Sequence, residues 1–262
     1  MARKSAWTAF AYPDKGYDYP AAELKKHWAR LHLGDREPFP REPKLAEAWR
    51  CYHRGDFEQA VQLGLELGPP GYAVANKAAA IYANYLEPAK AKKLKLLDEV
   101  AARAEQAMAA LPEHANSHYL YAYALGRRSQ GASVLEALAQ GIGAKIRDAL
   151  ARTLELEPKH AEAHTAVGTY HAEIIDKVGA MLGALTYGAS KDEALKHYRK
   201  ALELHPHSAI ARVEFAGGLL MMYGKARVDE ATRLMVEASE IEPCDAMERL
   251  DVELARSKLE EG

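Results

Sequence analysis

Four times along this chain a helical phrase closes on a proline. The phrases are Ala107-Met108-Ala109-Ala110-Leu111-Pro112, Thr153-Leu154-Glu155-Leu156-Glu157-Pro158, Ala201-Leu202-Glu203-Leu204-His205-Pro206 and Ala238-Ser239-Glu240-Ile241-Glu242-Pro243. Each is followed by a new helix-like run, and the prolines are 46, 48 and 37 residues apart. Spacing in this range predicts a helical solenoid. One helical hairpin cannot bury its apolar face alone, so successive hairpins stack and bury each other's faces.

The 262 residues suffice for one large domain or two small ones. A formal net charge of −2 gives no electrostatic reason to expect nucleic acid, which needs a concentrated basic face. The local basic cluster, Lys90-Ala91-Lys92-Lys93-Leu94-Lys95, reads as a solvated helix start or loop, with a docking patch as the alternative. Cys51 and Cys244 are the two cysteines, far apart in sequence, and they suggest free thiols in a reducing compartment. Met1 to Trp7 has a basic start, no apolar h-region after it and no lipobox cysteine, so no secretory signal is expected. No apolar stretch approaches the roughly 20 residues that span a bilayer. A cytoplasmic protein with no membrane partner is the expectation.

Residues 1–42 differ from the rest. Trp7, Phe10, Tyr12, Tyr17, Tyr19 and Trp28 crowd this part, with Pro13, Pro20, Pro38 and Pro40 among and after them, and Ala21 to His32 is its one helical pattern. An arm this aromatic is expected to pack on the solenoid, capping the first repeat, covering the concave groove or reaching a second subunit. Residues 43–262 form the repeat domain. Its hairpins run over Lys44–Leu67 with a turn at Gly55-Asp56-Phe57, over Ala73–Leu86 with Leu94–Leu111, and over Ala115–Leu156 with an interruption at Ser129–Ser133. Two more cover Ala161–Leu204 and Ala209–Ile241. Ala246–Glu260 is an amphipathic helix suited to capping the end.

These residues resemble the tetratricopeptide repeat, a hairpin of about 34 residues with small residues at helix crossings and a proline after the second helix. The fourth repeat carries the pattern most fully: Gly168 in its first helix, Ala194, Tyr198 and Ala201 in its second, and Pro206 at the close. The fifth has Ala231, Ala238 and Pro243; the first has Gly55, Phe57 and Ala60. The resemblance covers about residues 43–260. It implies an all-α, right-handed superhelical solenoid of helical hairpins with helical insertions. The insertions are apolar and include Ile174–Gly183 and Val134–Leu138. They imply first helices that project beyond the solenoid body, or extra short helices at one edge. The stretch from Tyr170 to Ala194 is also similar to the regulator-of-microtubule-dynamics proteins and to the T-components associated with TRAP-type transporters. The T-components are secreted lipoproteins, and the missing signal argues against a transport role here.

No enzyme is expected. No GxSxG is present, no cysteine lies in a histidine motif, and Gly141-Ile142-Gly143 and Gly217-Gly218 fit no phosphate loop. His160, His164 and His171 share a helical side at spacings that zinc uses, yet His160–His164 is not an HExxH arrangement. Alignment of the repeats gives His164 and His118 one large-residue position and His171 an aromatic one, so packing is expected. No metal and no cofactor are implied.

In the resembled family the first helices line a concave face. The matching positions here are Lys77 and Asn84, then Asn116, Tyr119, Tyr123 and Arg127, then Glu162, Thr165, Thr169 and Glu173, with Val213 and Gly217 after them. Tyrosine and arginine combine contact area with polar tips, which suits a groove that grips a peptide. The expected function is a scaffold that holds a peptide or partner helix there, with a homodimer as a further possibility. The alternative is a small-ligand protein whose insertions close the groove into a pocket.

Overall fold

The computed structural model describes residues 7–130 and 141–261. All the regular elements among them are helical. The helices are α1 (Ala21–Leu31), α2 (Pro43–His53), α3 (Phe57–Glu66), α4 (Tyr72–Tyr85), α5 (Lys90–Ala110), α6 (Ala115–Ser129), α7 (Ile142–Leu156), α8 (Ala161–Val178), α9 (Ala180–Tyr187), α10 (Lys191–Leu204), α11 (Ala209–Tyr223), α12 (Val228–Ser239) and α13 (Ala246–Glu261). The chain is an all-α helical-repeat protein. The expected insertion at Val134–Leu138 lies outside the described residues.

The proline phrases work through one recurrent turn. The last helical residues reach Ala110, Leu156 and Leu204, and the N-cap of the next helix is His114, His160 or Ser208. His160 Nδ1 accepts the Ala163 amide at 3.0 Å, and Ser208 Oγ accepts the Ala211 amide at 3.1 Å. Each of these two side chains satisfies an amide that the first helical turn leaves without an intrahelical partner. A side chain four residues past the cap then reaches back to the proline carbonyl. His118 Nε2 donates to Pro112 at 2.9 Å, His164 Nε2 to Pro158 at 3.1 Å, and an Arg212 guanidinium nitrogen to Pro206 at 2.7 Å.

The helices group into two compact units. Described residues 7–31, 37–130 and 244–247 form the first, and residues 32–36, 141–243 and 248–261 form the second. In the first, α2 to α6 pack consecutively around Trp49, Tyr52, Val74, Tyr82, Leu97 and Val100. The aromatic arm meets this unit at several points. Trp7 stacks on Tyr82 with ring centroids 3.8 Å apart, and Phe10 packs edge-on to Phe57. Gly55, at φ +92°, leaves no space for a Cβ, which would lie 2.5 Å from the Phe10 ring. Tyr19 donates to the Cys244 carbonyl at 2.6 Å, and His53 meets Asp245 at 2.8 Å in full burial.

In the second unit the small positions predicted for the fourth repeat do close-packing work. Tyr198 on α10 is 0% exposed. Its ring stacks on Phe215 at 4.9 Å and lies against Gly168 of α8 and Gly218 of α11. A Cβ at Gly168 would sit 2.8 Å from that ring, and one at Gly218 would sit 2.5 Å from the hydroxyl oxygen. Burying such a side chain contributes about 1.5–3 kcal/mol. The apolar insertion Ile174–Gly183 is helical, as its composition predicts. It is broken at Gly179, whose φ of +84° ends α8 and lets α9 set off in a new direction.

Candidate functional site

Helix α6 buries Leu120, Tyr121 and Ala124 and leaves Tyr123 and Arg127 half-exposed. Positions 119, 123 and 127 are four residues apart, so they share one stripe. The rings of Tyr119 and Tyr123 lie 6.1 Å apart, and the Arg127 guanidinium sits 5.2 Å over the Tyr123 ring. Tyr119, 7% exposed, forms the floor of this stripe. Asn84, at the end of α4, joins it through Lys93 of α5. The Lys93 amine donates to the Asn84 backbone and side-chain oxygens at 3.3 and 3.4 Å. Burial, and then the charge of Arg127, hold the Lys93 pKa below its ordinary value.

The sequence pattern places Lys93 in a basic cluster at a helix start or loop, and not among the groove positions. The structure starts α5 at Lys90, so the lysine run forms its first turns. Four lysines there oppose the positive end of the helix dipole, at a cost of about 0.3–1 kcal/mol for each charge close to the terminus. The N-cap, Ala89, offers no side chain to the first amides.

The remaining predicted positions are placed differently. Lys77 is buried in α4. Asn116 is buried too and donates to the Glu37 carboxylate at 2.6 Å. At the matching position of the next repeat, the Glu162 amide donates to the Gly34 carbonyl at 3.0 Å. Thr165 is buried and donates to its own helix at Ala161. Thr169 donates to the Glu214 carboxylate and accepts from the Tyr198 hydroxyl, both at 3.1 Å. Glu173 pairs with Lys177 at 3.3 Å. Val213 is in the core with Ala209, Ala238, Val252 and Ala255, whereas a Cβ at Gly217 would meet open space.

The histidines resolve into caps and pairs. His160 precedes α8 as its cap, so it does not share the helical side of His164 and His171. His164 meets His197 of α10, with Nδ1 atoms 2.8 Å apart. Since Pro158 accepts from His164 Nε2, Nδ1 of His164 is the acceptor and His197 Nδ1 carries the proton. His197 Nε2 then faces the Glu193 carboxylate at 3.8 Å. Burial, and next the neighbouring His164, push the His197 pKa down to about 4. Burial lowers His164 and His171 as well. An open pocket of about 520 Å³ beside the pair is lined by His164, His197, Lys196, Arg199, Lys200 and Glu203. Among the described residues no group of three histidine, cysteine or carboxylate side chains is placed to hold a metal ion. Burial pushes the Cys51 thiol up to about 11, far from a nucleophile's range.

Helix α9 presents Met181, Leu182 and Leu185 to solvent, with Met181 87% and Leu185 85% exposed. Its buried residue is Gly183, which faces Ile174. No helix among the described residues is long and apolar enough to cross a membrane.

A family model described as "Regulator of microtubule dynamics protein 1-3" matches residues 46–261. Among solved structures, a thermophilic TPR protein of Thermus thermophilus is similar over 82% of this chain and 98% of its own, with a TM-score of 0.57 and 18% identity. That likeness shows the fold alone. No curated protein sequence matches the chain.

Proposed function

The chain belongs to the regulator of microtubule dynamics protein 1-3 family, and on that premise we propose that it is a protein-interaction scaffold whose first helices grip a peptide or a partner helix. The observation that carries this reading is the stripe of Tyr119, Tyr123 and Arg127 on α6. It joins a rigid aromatic floor to a half-exposed ring and a cation, the side-chain types that supply much of the energy at protein interfaces. Asn84 and Lys93 extend it toward α4 and α5. In the second unit, Glu162, Thr165, Thr169 and Glu173 hold the matching positions, where Thr165 bonds its own helix and Thr169 links Tyr198 to Glu214. The helical-repeat architecture supports the reading in a general way, since it presents surface on a regular framework. The pocket beside His164 and His197 is open rather than enclosed.

Panning the immobilised full chain with a random dodecapeptide library tests this, in parallel with a Tyr123→Ser/Arg127→Gln variant checked for folding by circular dichroism. Sequences enriched on the parent and lost on the variant are the expected result. Enrichment indifferent to the variant, or none at all, overturns the assignment.

A further inference from the structure

We propose that the aromatic arm is a built-in occupant of the groove, in which Trp7 and Phe10 cover its α3–α4 end until a partner segment with two aromatic residues at the same spacing displaces them; this concerns the regulation of the site above and rests on that reading. Residues 7–14 belong to no helix. Two rings and a backbone amide anchor them. The Trp7 indole stacks on Tyr82 of α4 at 3.8 Å, and the Thr8 amide donates to the Tyr82 hydroxyl at 3.0 Å. The Phe10 ring meets Phe57 of α3 edge-on at 6.3 Å.

Thr8 and Ala9, between the two rings, are exposed, and the rings themselves are half-buried. Core aromatics of the same unit, Trp49 and Tyr52, are each 1% exposed. A segment that inserts its rings and leaves the residues between them in water is held as a bound peptide is held, by aromatic anchors. The occupied surface adjoins the stripe on α6. Trp7 and Tyr123 pack against one cluster, formed by Ala79, Ala80, Val100 and Ala124. Three of these four are alanines, whose short side chains leave a floor on which one ring can replace another. The chain also fills a second groove position itself, since the Glu37 carboxylate accepts from Asn116 at 2.6 Å.

Fluorescence anisotropy on the full chain tests the proposal. The probe is a peptide with the sequence of residues 7–14, labelled with fluorescein at its C-terminus. The opened chain is W7A/F10A, checked for folding by circular dichroism. The probe should bind the opened chain at least about tenfold more tightly than the parent, whose tethered arm competes at high effective concentration. A probe with both rings replaced by alanine should bind neither. T8P alters one exposed residue and removes the donor to Tyr82; it should give a smaller gain in the same direction, and it serves where the double variant unfolds. Peptides enriched by panning should bind the opened chain at least about threefold more tightly than the parent. Equal probe binding to the parent and both variants, or none to any of them, overturns the proposal. So does a parent dimer in sedimentation velocity that W7A/F10A dissolves, which would seat the arm on a second copy. If panned peptides need Tyr123 and Arg127 yet bind the parent and the opened chain alike, the arm is no regulator and the groove stands. If panning yields no such peptides, the groove falls and the arm's role falls with it.

Discussion

In α6 the positions 119, 123 and 127 are tyrosine, tyrosine and arginine, and in α8 the matching positions 165, 169 and 173 are threonine, threonine and glutamate. The threonines serve the fold. Thr165 bonds its own helix, and Thr169 links the buried Tyr198 hydroxyl to Glu214. In α6 the same register stacks rings and a cation in a half-exposed row. Repeat register therefore assigns a residue to a face, but the neighbouring helix decides whether the side chain is consumed in packing. In the second unit that neighbour is α10, which brings a tyrosine to Gly168.

If this contrast is right, the second unit should be the more sensitive to changes at its crossing. Tyr198→Ala removes a fully buried ring and should cost about 3–5 kcal/mol in urea unfolding. Gly168→Ala forces the Tyr198 ring to move and should cost about 1–3 kcal/mol. A neutral result for either would break the comparison.

Acid should sharpen it next. His197 has its pKa pushed down to about 4 in the folded chain, against about 6.5 when unfolded. The unfolded chain thus takes up this proton first as pH falls, and stability present above about 6.5 is lost between about 6.5 and 4. Lys196 and Lys200 oppose charging of the pair, while Glu193 and Glu203 favour it. With the ring partly exposed, the expected loss is about 1–3 kcal/mol. His197→Gln should flatten the pH dependence in this window, as urea titrations from pH 7 to pH 4 would record.

The smallest effect belongs to the first unit. Lys92→Glu places an acid in the first turn of α5 and should stabilise by about 0.3–1 kcal/mol. A destabilised Lys92→Glu would mean that the lysine run serves the fold after all.

The architecture was legible in the sequence because prolines and small residues act locally. A proline cannot continue a helix beyond its first turn, and Gly168, Ala194 and Tyr198 announce a close crossing by size alone. The start of α5 was legible only as a helix start or a loop, because lysines carry no apolar periodicity and Ala89 carries no cap signal. His197 lies 33 residues from its partner His164, and Glu37 lies 79 residues from Asn116. No spacing rule reaches across such separations, and only the packed chain brings the partners together. Gly179 is visible in the sequence, but the positive φ it takes between α8 and α9 is not.

The exposed helix α9 makes the protein its own recorder of contact. Met181 stands almost fully in solvent, whereas Met222 in the same unit is 5% exposed. Dilute peroxide should convert the first thioether to its sulfoxide well before the second. Peptide masses after a brief exposure would thus score, with an internal reference, whether anything covers α9 in a cell extract.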